Sequence, residues 1–184
     1  MTNETPKLVT AEEFERWPET NPRCELVRGV VVESPYLGAR DGRVVVSTIV
    51  PLATWAEHHN RGVVGMSAGC VLARNPDTVR VPYGWFVSHE RMPASEVPTG
   101  FLQFAPDLAV EIITPYVLEM DLHRKIHEYF AAGGRMVWTV YPDSKSVVVH
   151  HPHGHSRTYR AGDTLRDLEL LPGFECPVVD IFTL

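Results

Sequence analysis

Apolar and polar positions change period several times along the chain, and each change marks an element. Residues 10–17 (TAEEFERW) predict a short helix. Thr10 stands at its N-cap, Glu13 three residues later completes a capping box, and Pro18 stops it. Residues 24–33 (CELVRGVVVE) predict two short strands around an Arg28-Gly29 turn. The run at 43–59 has two readings. VVVSTIV has strand propensity, but Val45, Ile49, Leu52 and Trp55 recur at helical spacing, and the length favours a helix kinked by Pro51. Residues 62–73 and 78–88 predict strands, and 105–113 (APDLAVEII) is the largely apolar run expected of a strand near a sheet centre. Residues 118–132 predict a helix ended by Gly133-Gly134. Residues 136–141 and 146–151 predict strands joined by a Pro142-Asp143 turn, and the tail predicts short strands and turns. This order fits an α/β (α+β) fold, a mixed or mostly antiparallel sheet with helices packed on it.

Length and composition narrow the picture. The 184 residues suit one domain, with 1–9 expected as a flexible N-terminus. Hydrophobic residues at 44% and charged residues at 22% are ordinary for a soluble protein. No apolar run approaches the roughly 20 residues that span a bilayer, and Met1 to Lys7 has no signal-peptide core. A cytoplasmic location without membrane partners follows by default. Three widely spaced cysteines, Cys24, Cys70 and Cys176, exclude a disulfide framework and a cysteine zinc site, and read as small buried residues. The net charge of -6 argues against non-specific coating of nucleic acid but leaves room for a local basic cleft. No GxGxxG, Walker loop, GxSxG or HExxH occurs, so nucleotide cofactors and the common hydrolase machineries have no support.

Two charged residues stand out against their surroundings. Glu111 lies among Val110, Ile112 and Ile113 in the middle of an apolar strand, sharing a face with Asp107, Ala109 and Ile113. A carboxylate there needs a partner: a metal ion, an arginine or a lysine. On the next helix, Leu118, Leu122, Ile126 and Tyr129 define an inward stripe to which Lys125 belongs, with His123, Arg124, His127 and Glu128 mostly on the outer side. Lys125 is one of only three lysines, and it reads either as a site residue or as an apolar stem snorkelling to water. Glu25 in the first hairpin reads either as a site residue or as an exposed residue paired with Arg23 or Arg28. The HHPHGH segment at His150, His151, His153 and His155 falls between two strands and reads as a solvated hairpin tip that binds metal only adventitiously.

CELVRG at 24–29, VRVPYGWFVSHER at 79–91, APDLAVEIITP at 105–115 and DLHRKIHEYFAAGG followed by VWTVYPD together resemble the restriction-endonuclease (Uma-type) family of the PD-(D/E)XK nuclease superfamily. The resemblance runs from about Thr10 to the C-terminus, where PGFECPVVDIF is similar to the family's closing Pro-Gly turn and last strand. It implies a restriction-endonuclease-like mixed sheet flanked by helices and a Mg²⁺- or Mn²⁺-dependent phosphodiesterase acting on DNA. Carboxylates hold such a hard cation through oxygen, the metal activates water, and a lysine orients the water and offsets phosphate charge. Glu25 matches the early family glutamate, Glu111 the glutamate of the ExK element, and Lys125 the helical lysine that replaces the usual one, at whose position Ile113 stands. Glu25 and Glu111 are thus the implied metal ligands.

Two positions depart from the family pattern. Tyr83 stands where the family carries an aspartate after the motif proline, and a phenol with a pKa of about 10 is a poor Mg²⁺ ligand. Tyr83 is instead placed to hydrogen-bond to Glu111 or Lys125. Asp77 lies six residues upstream, roughly 20 Å along a strand, and Asp107 lies four residues from Glu111, roughly 13 Å, so neither is a convincing substitute. Asp41, where the family tends to have a histidine, is a candidate relocated acid. Two functions follow: a metal-dependent endonuclease with a modified site, or a non-catalytic descendant that binds nucleic acid or protein. A homodimer is expected by resemblance and from the commonness of two-fold assemblies.

Overall fold

The computed structural model describes residues 8–17, 23–34, 36–115 and 119–183. The first helix, α1 (Ala11–Glu15), is held by the expected capping box: Thr10 Oγ1 accepts from the Glu13 amide at 3.1 Å, and Glu13 Oε2 accepts from the Thr10 amide at 3.0 Å. Pro18 and residues 1–7 lie outside the described residues. Val9, within the segment expected to be flexible, donates its amide to Gly29 O at 2.9 Å. Strands β1 (Cys24–Val27) and β2 (Val30–Glu33) pair antiparallel around Arg28 and Gly29. Both turn residues have positive φ, 51° and 77°, as a tight two-residue hairpin demands.

The ambiguous run is helical: α2 (Ala39–His58) contains Pro51 and buries Val44, Val45, Ile49, Leu52 and Trp55. The segments expected as strands at 62–73 and 78–88 each divide between two sheets. From the first come β3 (Gly62–Gly65) and β4 (Cys70–Ala73), and from the second β5 (Thr78–Arg80) and β6 (Gly84–Ser88). Pro82 has no amide to donate, and the chain leaves one sheet at Arg80 and enters the other at Gly84.

Next come β7 (Leu108–Ile112), α3 (Glu119–Ala131), β8 (Met136–Tyr141), β9 (Ser146–His150) and β10 (Ser156–Arg160). The large sheet has the order β10-β9-β8-β7-β6-β3, with β7 and β8 parallel and the other pairs antiparallel. The smaller sheet has the order β2-β1-β5-β4 and is antiparallel throughout. Helix α3 connects the parallel pair and lies on one face of the large sheet, where Leu122, Ile126 and Tyr129 pack with Ala109 and Val137. Helix α2 lies on the other face, where Ile49, Leu52 and Trp55 share a core with Leu108, Val110, Ile112 and Trp138. Both faces of β7 are therefore covered, which explains its apolar run.

The C-terminal segment differs from expectation. After β11 (Thr164–Leu165), strand β12 spans only Cys176–Pro177, and VVDIF forms helix α4 (Val178–Phe182). Its β-branched residues favour a strand by propensity, but Val178 and Ile181, three apart, are the buried pair, and that spacing is helical. All three cysteines are free; Cys70 and Cys176 are buried, and Cys24 is half-buried. Among the described residues no helix is long and apolar enough to cross a membrane.

Candidate active site

Four elements meet where the two sheets abut. Strand β7 alternates, so with Leu108, Val110 and Ile112 turned to the α2 core, Glu111 faces α3. Lys125 comes down from α3, one turn from Leu122 and Tyr129. Its Nζ lies 2.8 Å from Glu111 Oε1 and 2.7 Å from Glu25 Oε1 on β1. Tyr129 donates its hydroxyl to the same Glu111 oxygen at 2.8 Å. Arg80 on β5 closes the network, with Nη1 2.8 Å from Glu25 Oε2 and Nε 2.6 Å from Glu128 Oε2. The Val81 amide donates to Glu25 Oε1 at 2.9 Å. Glu25, Glu111 and Arg80 are 5%, 3% and 5% exposed, so nearly all of this charge is withdrawn from water. The residues border a cavity of about 260 Å³.

Tyr83 reaches the same cavity from the β5–β6 connection. Its ring carries the Arg23 guanidinium, whose carbon sits 3.5 Å from the ring centroid, and Arg23 also donates to the Val81 carbonyl. Among the described residues no hydrogen bond joins Tyr83 to Glu111 or Lys125, so the expected bond is replaced by a cation–π stack.

The environment separates the two glutamates. Burial pushes Glu25 up, but Lys125 and Arg80 outweigh it and hold the carboxyl at about 2. Burial pushes Glu111 up as well, and there the pull of Lys125 is partly undone by the charge of Glu25, so its proton affinity stays raised. For Lys125 burial acts downward, but the two glutamates reverse it and keep the ammonium charged. Two carboxylates around one cation with diverging proton affinities is the arrangement by which sites divide the roles of anion and proton carrier.

A family model described as "Putative restriction endonuclease", Uma2, matches residues 11–179, most of the chain. The chain belongs to the Uma2 family. A crystal structure of a "putative nuclease belonging to DUF820" from Anabaena variabilis is similar to it, with 19% identity over 95% of this chain and 97% of that one and a TM-score of 0.82. At that identity the likeness speaks for the fold, which is that of the nuclease. A search of the curated proteins finds no match.

Of the residues expected in this Uma2 site, Glu25, Glu111, Lys125 and Tyr83 all border one cavity. Glu25 is buried and paired with Arg80 and Lys125, not exposed and paired with Arg23 or Arg28. Asp41 sits in the first turn of α2 and is not among the cavity's lining residues. Asp107 is fully buried against the Ser88 amide and Arg91, and Asp77 accepts from the Ala11 amide and Arg74. Both are structural anchors. Glu128 was expected on the outer side of α3, but Arg80 draws it inward. Arg80 was not expected at all, although it carries the signal that exposed Glu111: a charge between apolar neighbours, Val79 and Val81, on a strand. Leu118 lies outside the described residues.

As ligands for a hard cation, the residues present are sparse. Glu111 spends Oε1 on Lys125 and Tyr129, while its Oε2 has no partner among the described residues. Both oxygens of Glu25 are engaged. Mg²⁺ keeps several waters and is commonly held by one or two carboxylates together with substrate phosphate, and Glu111 with Glu25 meets that minimum. Elsewhere, HHPHGH forms the β9–β10 connection, and its histidines border a separate cavity with His123 and His127. Among the described residues no three His, Cys, Asp or Glu gather to hold a metal.

Proposed function

We propose that the chain is a metal-dependent DNA endonuclease of the PD-(D/E)XK type whose site is modified at Tyr83. The observation that carries this reading is the convergence of Glu25, Glu111 and Lys125, with Nζ 2.7 and 2.8 Å from the two carboxylates at the edge of a cavity. Mg²⁺ or Mn²⁺ would be held by Glu111 and Glu25 and, when bound, would polarise the phosphate and acidify a water. Lys125 offsets charge on the phosphate. Glu111, whose Oε2 has no partner among the described residues, would be the principal ligand, and Lys125 would also orient the attacking water. Glu25 stays anionic under Lys125 and Arg80 and holds the ammonium in place. Tyr83 contributes no ligand, so the expected metal affinity is low.

Titration with Mg²⁺ or Mn²⁺ by calorimetry, followed by plasmid nicking, tests this. Saturable millimolar binding that is lost in Glu111→Ala and strengthened in Tyr83→Asp is the expected result. No binding at millimolar metal in the wild-type chain overturns it.

A second reading has its own support. Both Glu25 oxygens are already neutralised by Lys125, Arg80 and the Val81 amide, so this carboxylate is satisfied without a metal. A non-catalytic descendant that binds nucleic acid or protein fits that arrangement and would leave plasmid intact at every metal concentration. In both readings we propose a homodimer in solution, with light scattering expected to give twice the 20.7 kDa chain mass and a monomer mass ruling it out.

A further inference from the structure

Six of the nine histidines in the chain border one cavity of about 660 Å³: His123 and His127 on α3, and His150, His151, His153 and His155 at and beyond the end of β9. This cavity shares no lining residue with the one around Glu111 and Lys125. At about 100° per residue, Lys125 projects from the opposite side of α3 to His123 and His127. The β9–β10 connection is not a free tip. The His151 amide donates to the His155 carbonyl at 2.8 Å and closes its turn, and the segment walls the cavity together with α3.

Hydrogen-bond partners divide the six imidazoles. His150 Nε2 lies 2.9 Å from Thr139 Oγ1, and His151 Nε2 lies 3.9 Å from Asp167 Oδ2. The imidazoles of His123, His127, His153 and His155 have no hydrogen bond or ion pair among the described residues, and all four residues are exposed. No carboxylate, lysine or arginine lines the cavity, so it offers an ionic organic ligand no fixed counter-charge. What it offers is imidazole nitrogen, which suits Zn²⁺, Ni²⁺ and Cu²⁺, whereas Mg²⁺ prefers oxygen. Histidines at i and i+4 leave one face of a helix and present two nitrogens to one ion.

We propose that His123 and His127, joined by His153 and His155, hold one divalent transition cation of the Zn²⁺ class and clip α3 to the β9–β10 connection. As the side chains stand, no three of them meet at one point among the described residues. The helix pair is therefore the fixed bite, and the ion draws in the exposed side chains of the connection, a rotamer change of the kind that binding commonly brings. The clip neither uses nor requires the nuclease chemistry on the other side of α3.

The test is calorimetric titration of Zn²⁺ into the full chain without a histidine tag, stripped of metal and kept in excess Mg²⁺. One Zn²⁺ per chain is expected, with a rise in the thermal midpoint, because the ion binds the folded state. His123→Ala and His127→Ala should each weaken binding by at least about tenfold, the loss that even a change behind a ligand causes. The double variant His153→Ala/His155→Ala should weaken it as much, and Glu111→Ala should leave it unchanged. Circular dichroism checks each variant, and His127→Gln serves if His127→Ala is unfolded. Absence of Zn²⁺ binding overturns the site. So does binding that survives loss of both connection histidines, which would leave an adventitious helix pair only. Binding lost in Glu111→Ala but kept in His123→Ala also overturns it, by placing the ion in the carboxylate cavity.

Discussion

At the residue scale, Glu25 and Glu111 share one ammonium, and their surroundings set opposite pH dependences. The carboxyl of Glu25 falls from an ordinary 4.5 to about 2 in the folded protein, where Lys125 and Arg80 outweigh its burial. Its stabilisation is therefore present above pH 4.5 and is lost as pH falls towards 2. Glu111 is raised by burial, so its charged form opposes folding above its folded value, and acidification relieves that opposition. Glu25→Gln should cost about 3 kcal/mol at neutral pH, since Arg80 and Lys125 then lose their shared anion. Glu111→Gln should cost less than half of that, because the amide still accepts from Tyr129 and sheds a poorly solvated charge. Urea melts at pH 7 and pH 3 measure both. The gap between wild type and Glu25→Gln should shrink at pH 3, and equal costs for the two variants at pH 7 would show that the glutamates are not differentiated.

At the element scale, the site depends on how α2 and α3 clasp the large sheet. Gly84 begins β6, next to Tyr83, and packs against α2: a Cβ there would lie 1.9 Å from Ile49 Cδ1 and 2.9 Å from Cγ1. Gly84→Ala should lose roughly 1–3 kcal/mol through overpacking. Ile49→Val removes the Cδ1 methyl in the way and alone should cost about 1 kcal/mol. The double variant should be more stable than the sum of the two predicts, as thermal melts can establish; strict additivity would mean the helix and strand do not press on each other. Helices α1 and α2 and the β1–β2 hairpin were legible in sequence because their signals are local: a capping box at Thr10, positive-φ turn residues at Arg28 and Gly29, and the helical spacing of Val45, Ile49, Leu52 and Trp55. The division of 78–88 between two sheets was not, since one apolar run serves either sheet and only tertiary pairing assigns the halves. The same limit applies at the site. Glu111 and Lys125 declared themselves as charges in apolar settings, whereas the reach of Arg80 across to Glu128 spans 48 residues and leaves no periodic trace.

At the scale of the whole molecule, charge is distributed against extended contact with nucleic acid. The chain carries a net charge of -6, while Arg23, Arg80, Arg124 and Lys125 line a single cavity together with Glu25, Glu33, Glu111 and Asp121. A basic surface that tracks a duplex neutralises many phosphates and releases many counterions; a cavity whose four cations are matched by four carboxylates neutralises few. Each phosphate neutralised on a single strand contributes about -0.7 to the slope of log affinity against log salt. Under the nuclease reading, binding of a single-stranded octanucleotide should therefore show a slope between about -1 and -2. Anisotropy titrations over a series of salt concentrations read the slope directly. A dimer would leave it unchanged per site, because each copy presents its own cavity to its own phosphate. A slope steeper than about -4 would require a broad cationic face and would move recognition away from the cavity to the outer surface.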